Sequence, residues 1–132
     1  MNELSLIEKG PVRPAPTLSK HPQRVSSEIQ SWPGVVAAAH WNLYWPDVVD
    51  GSDFYVGERE LGHIHLNGHA HIATTRGLRD RLLKSGEAQT FPWSGGYEDW
   101  VMYPIGNAAD ADHAIGLFRL NYERLQSSGM DS

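Results

Sequence analysis

The chain has 132 residues, 40% of them hydrophobic and 20% charged, with a net charge of −5 and no cysteine. That length fits one domain whose core needs no covalent staple. The lack of cysteine removes disulfides, thiolate nucleophiles, iron–sulfur clusters and cysteine-ligated zinc, while the acidic balance argues against a nucleic-acid partner.

In chain order, residues 1–20 carry Pro11, Pro14 and Pro16 and read as a flexible arm. The arm lacks the basic start and apolar stretch of a secretory leader, so a cytoplasmic location is expected. No apolar run approaches the ~20 residues of a membrane span, so no membrane partner is expected. A single domain is expected over residues 21–126, with a frayed tail at 127–132. Gln23 to Trp32 reads as a short helix with Val25, Ile29 and Trp32 on one stripe, stopped by Pro33-Gly34. Val35 to Trp45 reads as a strand, and Pro46 to Ser52 as a polar turn. Phe54 to Leu66 reads as one long or bent strand with Gly57 and Gly62 as bulge positions. His69 to Thr74 returns antiparallel to it.

Thr75 is placed to cap a helix reaching Lys84, with Leu78 and Leu82 as its apolar pair and Gly86 as its stop. Ala88 to Phe91 and Trp100 to Ile105 read as two further strands, joined by the glycine-rich aromatic loop Pro92 to Tyr97. Asn107 and Asp110 resemble a capping box. The final helix runs to about Gln126, with Ala111, Ile115, Phe118, Tyr122 and Leu125 on its apolar stripe. The order α-β-β-β-α-β-β-α predicts an α+β fold: an antiparallel sheet of about five strands with helices packed on one face.

The most informative stretch is Glu60-Leu61-Gly62-His63-Ile64-His65-Leu66-Asn67-Gly68-His69-Ala70-His71-Ile72. Alternating imidazole and apolar residues about Asn67-Gly68 predict a strand-turn-strand unit. A two-residue turn would leave both faces mixed. A three-residue loop Leu66-Asn67-Gly68 pairs His65 with His69 and His63 with His71, placing all four rings on one face. Ile64, Ala70 and Ile72 then share the other, and Gly68 supplies the left-handed residue. Burial favours this second register.

Histidine is both a common metal ligand and the usual general base. Rings opposed on a ladder would be neutral, metal-bound or proton-sharing near pH 7. His63, His65 and His71 are therefore candidates for catalysis and equally for a divalent metal, and His40 is placed to join from a neighbouring strand. Glu60 has the wrong parity for this face unless a bulge at Gly62 turns it round. Trp41, Tyr44 and Trp45, with Trp93 and Tyr97 of the glycine-rich loop, are candidates for lining a small-molecule pocket. Arg79 is a candidate for holding a substrate anion. Plain structural histidines on a polar sheet face are the competing interpretation.

Several of these pieces together resemble the fungal-luciferase-like domain family: Glu60 to His65, Gly68, His71, Leu78 to Leu82, Gly86 to Ala88, Trp100 to Ile105 and Ala114 to Arg124. Fungal luciferases oxidise a hydroxylated pyrone with molecular oxygen and emit light. The resemblance implies an oxygen-dependent enzyme acting on a phenolic or enolic small molecule, and the cofactor stays open between none beyond molecular oxygen and a divalent metal. His63 and His65 match the family's paired histidines. His71 falls where relatives carry His or Asp, and this chain has no His near Gln89 to Pro92 where many bacterial relatives do. Three readings follow: an acid–base oxidase, a His-ligated metal enzyme, or a ligand-binding or interaction domain with a pH-sensitive face. The interaction reading includes a second copy of the chain as partner.

Overall fold

The computed structural model describes residues 13–42, 45, 48–90 and 98–128. Among these residues three helices and six strands follow in the order α1 Lys20–Gln30, β1 Val35–Trp41, β2 Val49–Val56, β3 Arg59–His65, β4 His69–Ile72, α2 Arg76–Lys84, β5 Gln89–Thr90, β6 Val101–Pro104 and α3 Ala108–Ser128. The strands form one antiparallel sheet in the order β1-β2-β3-β4-β6-β5. The α+β architecture is as expected, with one more strand than the sequence suggested.

That strand comes from Gly57. Instead of bulging a long strand, Gly57 (φ 64°) and Glu58 turn the chain back, so that Val56 pairs with Arg59. Glycine with positive φ at the first position of a two-residue turn matches the twist of the flanking strands. The expected polar turn through Ser52 also ends early, because β2 begins at Val49. Thr75 caps α2, its side chain accepting from the Leu78 amide at 3.3 Å. Asn107 accepts from the Asp110 amide at 2.8 Å, while Asp110 accepts from the Gly106 amide at 2.9 Å, one residue earlier than a regular capping box.

One core lies between one face of the sheet and the helices. Strand residues Phe54, Ile64 and Ile72 meet Val25 and Ile29 of α1, Leu82 of α2, and Leu117 and Phe118 of α3, all buried. Burying side chains of this kind contributes roughly 1.5–3 kcal/mol each before conformational entropy is charged against it. Gly62 permits the close approach of α3: a Cβ there would lie 2.4 Å from the His71 carbonyl and 2.9 Å from Phe118.

Two register shifts set what the opposite face carries. In β2–β3, Phe54 opposes Gly62 and Tyr55 opposes Glu60, leaving Leu61 as the extra residue. In β1–β2, His40 opposes Gly51 and Trp41 opposes Val49, leaving Asp50 extra. A bulge inverts the alternation of side chains on one side of itself. The first is pinned from α3, where buried Asn121 donates from Nδ2 to the carbonyls of Leu61 (3.0 Å) and Ala73 (3.1 Å).

Candidate functional site

The histidine hairpin adopts the three-residue loop. His63 pairs with His71 and Ile64 with Ala70. Gly68 has φ 92°, and its amide donates to the His65 carbonyl at 2.9 Å. The Asn67 side chain accepts from the His69 amide at 2.9 Å, holding the loop tip. Ile64, Ala70 and Ile72 turn into the core, while His63, His65 and His71 group on the other face. His40 arrives from β1, stacked on His63 with ring centroids 4.0 Å apart and edge-on to His65 at 5.0 Å. His63 and His71 are buried, at 6% and 2% exposure.

Each of three rings has Nδ1 against a carboxylate. His63 meets Glu60 Oε2 at 3.0 Å, His65 meets Asp50 Oδ2 at 2.9 Å, and His40 meets Asp53 Oδ1 at 2.7 Å. The same Asp53 oxygen lies 3.6 Å from His63, and the Tyr55 hydroxyl donates to Asp53 Oδ2 at 3.4 Å. An ionised carboxylate only accepts, so each Nδ1 is the donor, and in the neutral ring the lone pair falls on Nε2. Those of His63 and His65 point at one atom: His71 Nδ1 lies 3.1 Å from the first and 3.2 Å from the second. An unbroken chain of contacts thus runs from Asp50 through His65, His71 and His63 to Glu60.

Burial is the largest cause holding the His71 pKa down to about 2, with repulsion from His63, His65, His69 and His40 in the same direction. His65 is lowered chiefly by burial, against the pull of its hydrogen bond to Asp50. Near neutral pH both rings are therefore uncharged and carry a lone pair. Two sets of potential ligand atoms lie within 4.8 Å of one another: one from His40, His63 and His65, the other from Asp53, Glu60 and His63.

Glu60 reaches the imidazole face because of the bulge at Leu61-Gly62. Asp50 and Asp53, absent from the sequence-based candidates, complete it. Asp53 opposes His63 only because Leu61 is the extra residue in the β2–β3 ladder. Asp50 reaches His65 through both shifts, since the Leu61 bulge sets Gly51 opposite His65 and the second leaves Asp50 as the extra residue of β2. Trp100 is another addition, its ring 5.5 Å from that of His63. Trp41 ends β1 beside His40 and lies under the Arg13 guanidinium, 5.4 Å from its centroid. Trp45 is 69% exposed. Arg79 sits on α2, where Nη1 donates to Asp80 at 2.9 Å. Tyr44, Trp93 and Tyr97 lie outside the described residues.

No helix among the described residues is long and apolar enough to cross a membrane. No curated protein and no solved structure matches the chain. Residues 58–121, which span β3, the histidine hairpin, α2 and most of α3, match the model of the luciferase domain family, so the resemblance carried by the sequence holds over that stretch.

Proposed function

We propose that this luciferase-like chain is a small-molecule enzyme of the cytoplasm that oxidises a phenolic or enolic substrate with molecular oxygen at the histidine face. The observation that carries the reading is the pairing of the His63 and His65 Nδ1 atoms with Glu60 and Asp50. Such a pairing fixes the tautomer and makes Nε2 a better proton acceptor, as the buried aspartate does in a Ser-His-Asp triad. The His65 side chain is 15% exposed against 8% for His63, so His65 is the ring that meets substrate.

In this scheme His65 Nε2 takes the substrate's acidic proton, and Asp50 stabilises the imidazolium. The carbanion-like carbon of the resulting anion adds oxygen. One C–O bond forms, the carbon loses two electrons, and dioxygen is reduced to the peroxide level. The proton held on His65 then returns to the distal oxygen, giving a substrate hydroperoxide. His71 and His63, backed by Glu60, continue the proton path into the interior. Trp41 and Trp45 are the described aromatics proposed to receive the substrate's ring, and Tyr44, Trp93 and Tyr97 are proposed with them from the sequence alone.

The test is oxygen uptake by the full chain over a panel of phenols and hydroxylated pyrones. Replacing the base, His65→Asn, is expected to lower turnover by roughly 10²–10⁴-fold, the usual worth of a positioned proton acceptor. Asp50→Asn should act in the same direction and move the acid limb of the pH–rate profile. Uptake that is unchanged in both variants removes the proposal.

A further inference from the structure

We propose that the imidazole cluster is a divalent-cation site centred on His63 and His65, with His40 and His71 beside them as the further ligands. The inference stands on ligand geometry; an ion on His65 Nε2 takes the lone pair that the proton transfer proposed above needs, so that oxidation belongs to the metal-free chain.

The first support is the count of protons. With Nδ1 of His63 and of His65 donated to carboxylates, both Nε2 atoms carry lone pairs, and both face His71 Nδ1. That nitrogen can hold one proton at most, so it can serve as donor to only one of the two at a time. A cation seated among the three nitrogens accepts a lone pair from each. Two separations suit it: His71 Nδ1 lies 3.1 and 3.2 Å from the two Nε2 atoms, and zinc–nitrogen bonds of about 2.0–2.1 Å in a tetrahedron set ligand nitrogens roughly 3.3–3.4 Å apart.

The second support is the outer ring of partners. Histidines that bind metals commonly donate their other ring nitrogen to a carboxylate, which fixes the ring and raises its basicity. Glu60 and Asp50 do this for His63 and His65. His40, oriented by Asp53 at 2.7 Å, offers a further nitrogen, and one ring nitrogen each from His40, His63 and His65 falls within 4.8 Å of the others. Three carboxylates also supply negative charge that offsets a divalent ion in a buried place. Neutral imidazoles in a chain without cysteine select zinc, iron, cobalt, nickel or copper over magnesium or calcium.

The experiment uses the full chain purified without a polyhistidine tag, stripped with chelator and titrated with Co²⁺ and then Zn²⁺. One equivalent per chain is expected, with visible Co²⁺ bands that Zn²⁺ displaces and an upward shift of the thermal midpoint. Glu60→Gln should weaken affinity about 10–100-fold while stoichiometry stays at one, as expected for an orienting carboxylate. His63→Asn and His65→Asn should lose the bound equivalent. Where a variant does not fold, long-range ¹⁵N–¹H spectra of the wild-type rings decide instead. The nitrogens of His63, His65 and His71 must then move on addition of Zn²⁺. Absence of saturable binding at millimolar metal overturns the site, as does an equivalent that survives both histidine substitutions or moves only the signals of His21 and His113. Metal binding decides this inference, and oxygen uptake by the chelator-stripped chain decides the enzymatic one, so either can fail alone.

Discussion

The depressed pKa of His71 makes the domain sensitive to mild acid. In the unfolded chain His71 titrates at its ordinary 6.5, whereas in the fold its pKa is about 2. The fold therefore favours the neutral ring, and below 6.5 the unfolded state binds a proton that the native state refuses. Stability is lost as pH falls from 6.5 towards 2. Between pH 7 and pH 5 this one group removes about 2 kcal/mol, as linkage between folding and protonation requires. For a domain of this size that amounts to roughly 8 °C in the thermal midpoint. His65, also lowered, adds loss of the same sign. The window lies above the ordinary carboxylate range, so imidazoles dominate it. The measurement is urea unfolding of chelator-treated protein at several pH values from 7 to 5, wild type against His71→Asn, whose amide stands near the place of Nδ1. The variant should show an acid slope shallower by about 2 kcal/mol over the window, whatever its absolute stability. Parallel slopes would mean that burial does not keep His71 neutral, and the assigned protonation of the cluster would fall with it.

Two further substitutions probe the scaffold. Asn121→Ala removes the donor to the Leu61 and Ala73 carbonyls inside the core and should cost about 2–3 kcal/mol in chemical unfolding, with the His63 ring signals moving although Asn121 touches no imidazole. Gly68→Ala places a Cβ 2.9 Å from the Ile105 carbonyl at a φ of 92°, and should cost at least about 1–2 kcal/mol, read from the same curves.

How much of this was legible in the sequence depended on whether a feature was local. The histidine hairpin was, because alternation of period two about Asn-Gly predicts the strand-turn-strand unit and burial of the apolar set favours the three-residue loop. The last helix was legible from its stripe, and Thr75 from its capping position. The first hairpin was not, since Gly57-Glu58 is a weaker turn signal than Asn-Gly and the apolar residues on either side read as one strand. Asp50 and Glu60 were the hardest. Their side depends on where the ladder gains an extra residue, and one of those places is fixed by Asn121, 60 positions downstream of Leu61. Alternation alone puts Glu60 on the wrong face.

The two bulges also bear on why this face is chemically loaded at all. A sheet covered on one side by helices needs only a polar or modestly apolar second side. Here that side buries Asp53, Glu60, His63 and His71. Buried ionisable groups rarely stabilise a fold more than apolar residues of similar size would. Each bulge in addition interrupts a ladder that regular pairing would complete. The result of those two interruptions is specific: one carboxylate is delivered to His65 and one to His63, each at hydrogen-bond distance of Nδ1. A purely structural face of His63, His65 and His71 needs neither interruption, because regular alternation in the β3–β4 hairpin alone groups those three rings. The bulges matter only for what they do to the rings' second nitrogens, and those are the atoms with which an imidazole takes a proton or holds a cation.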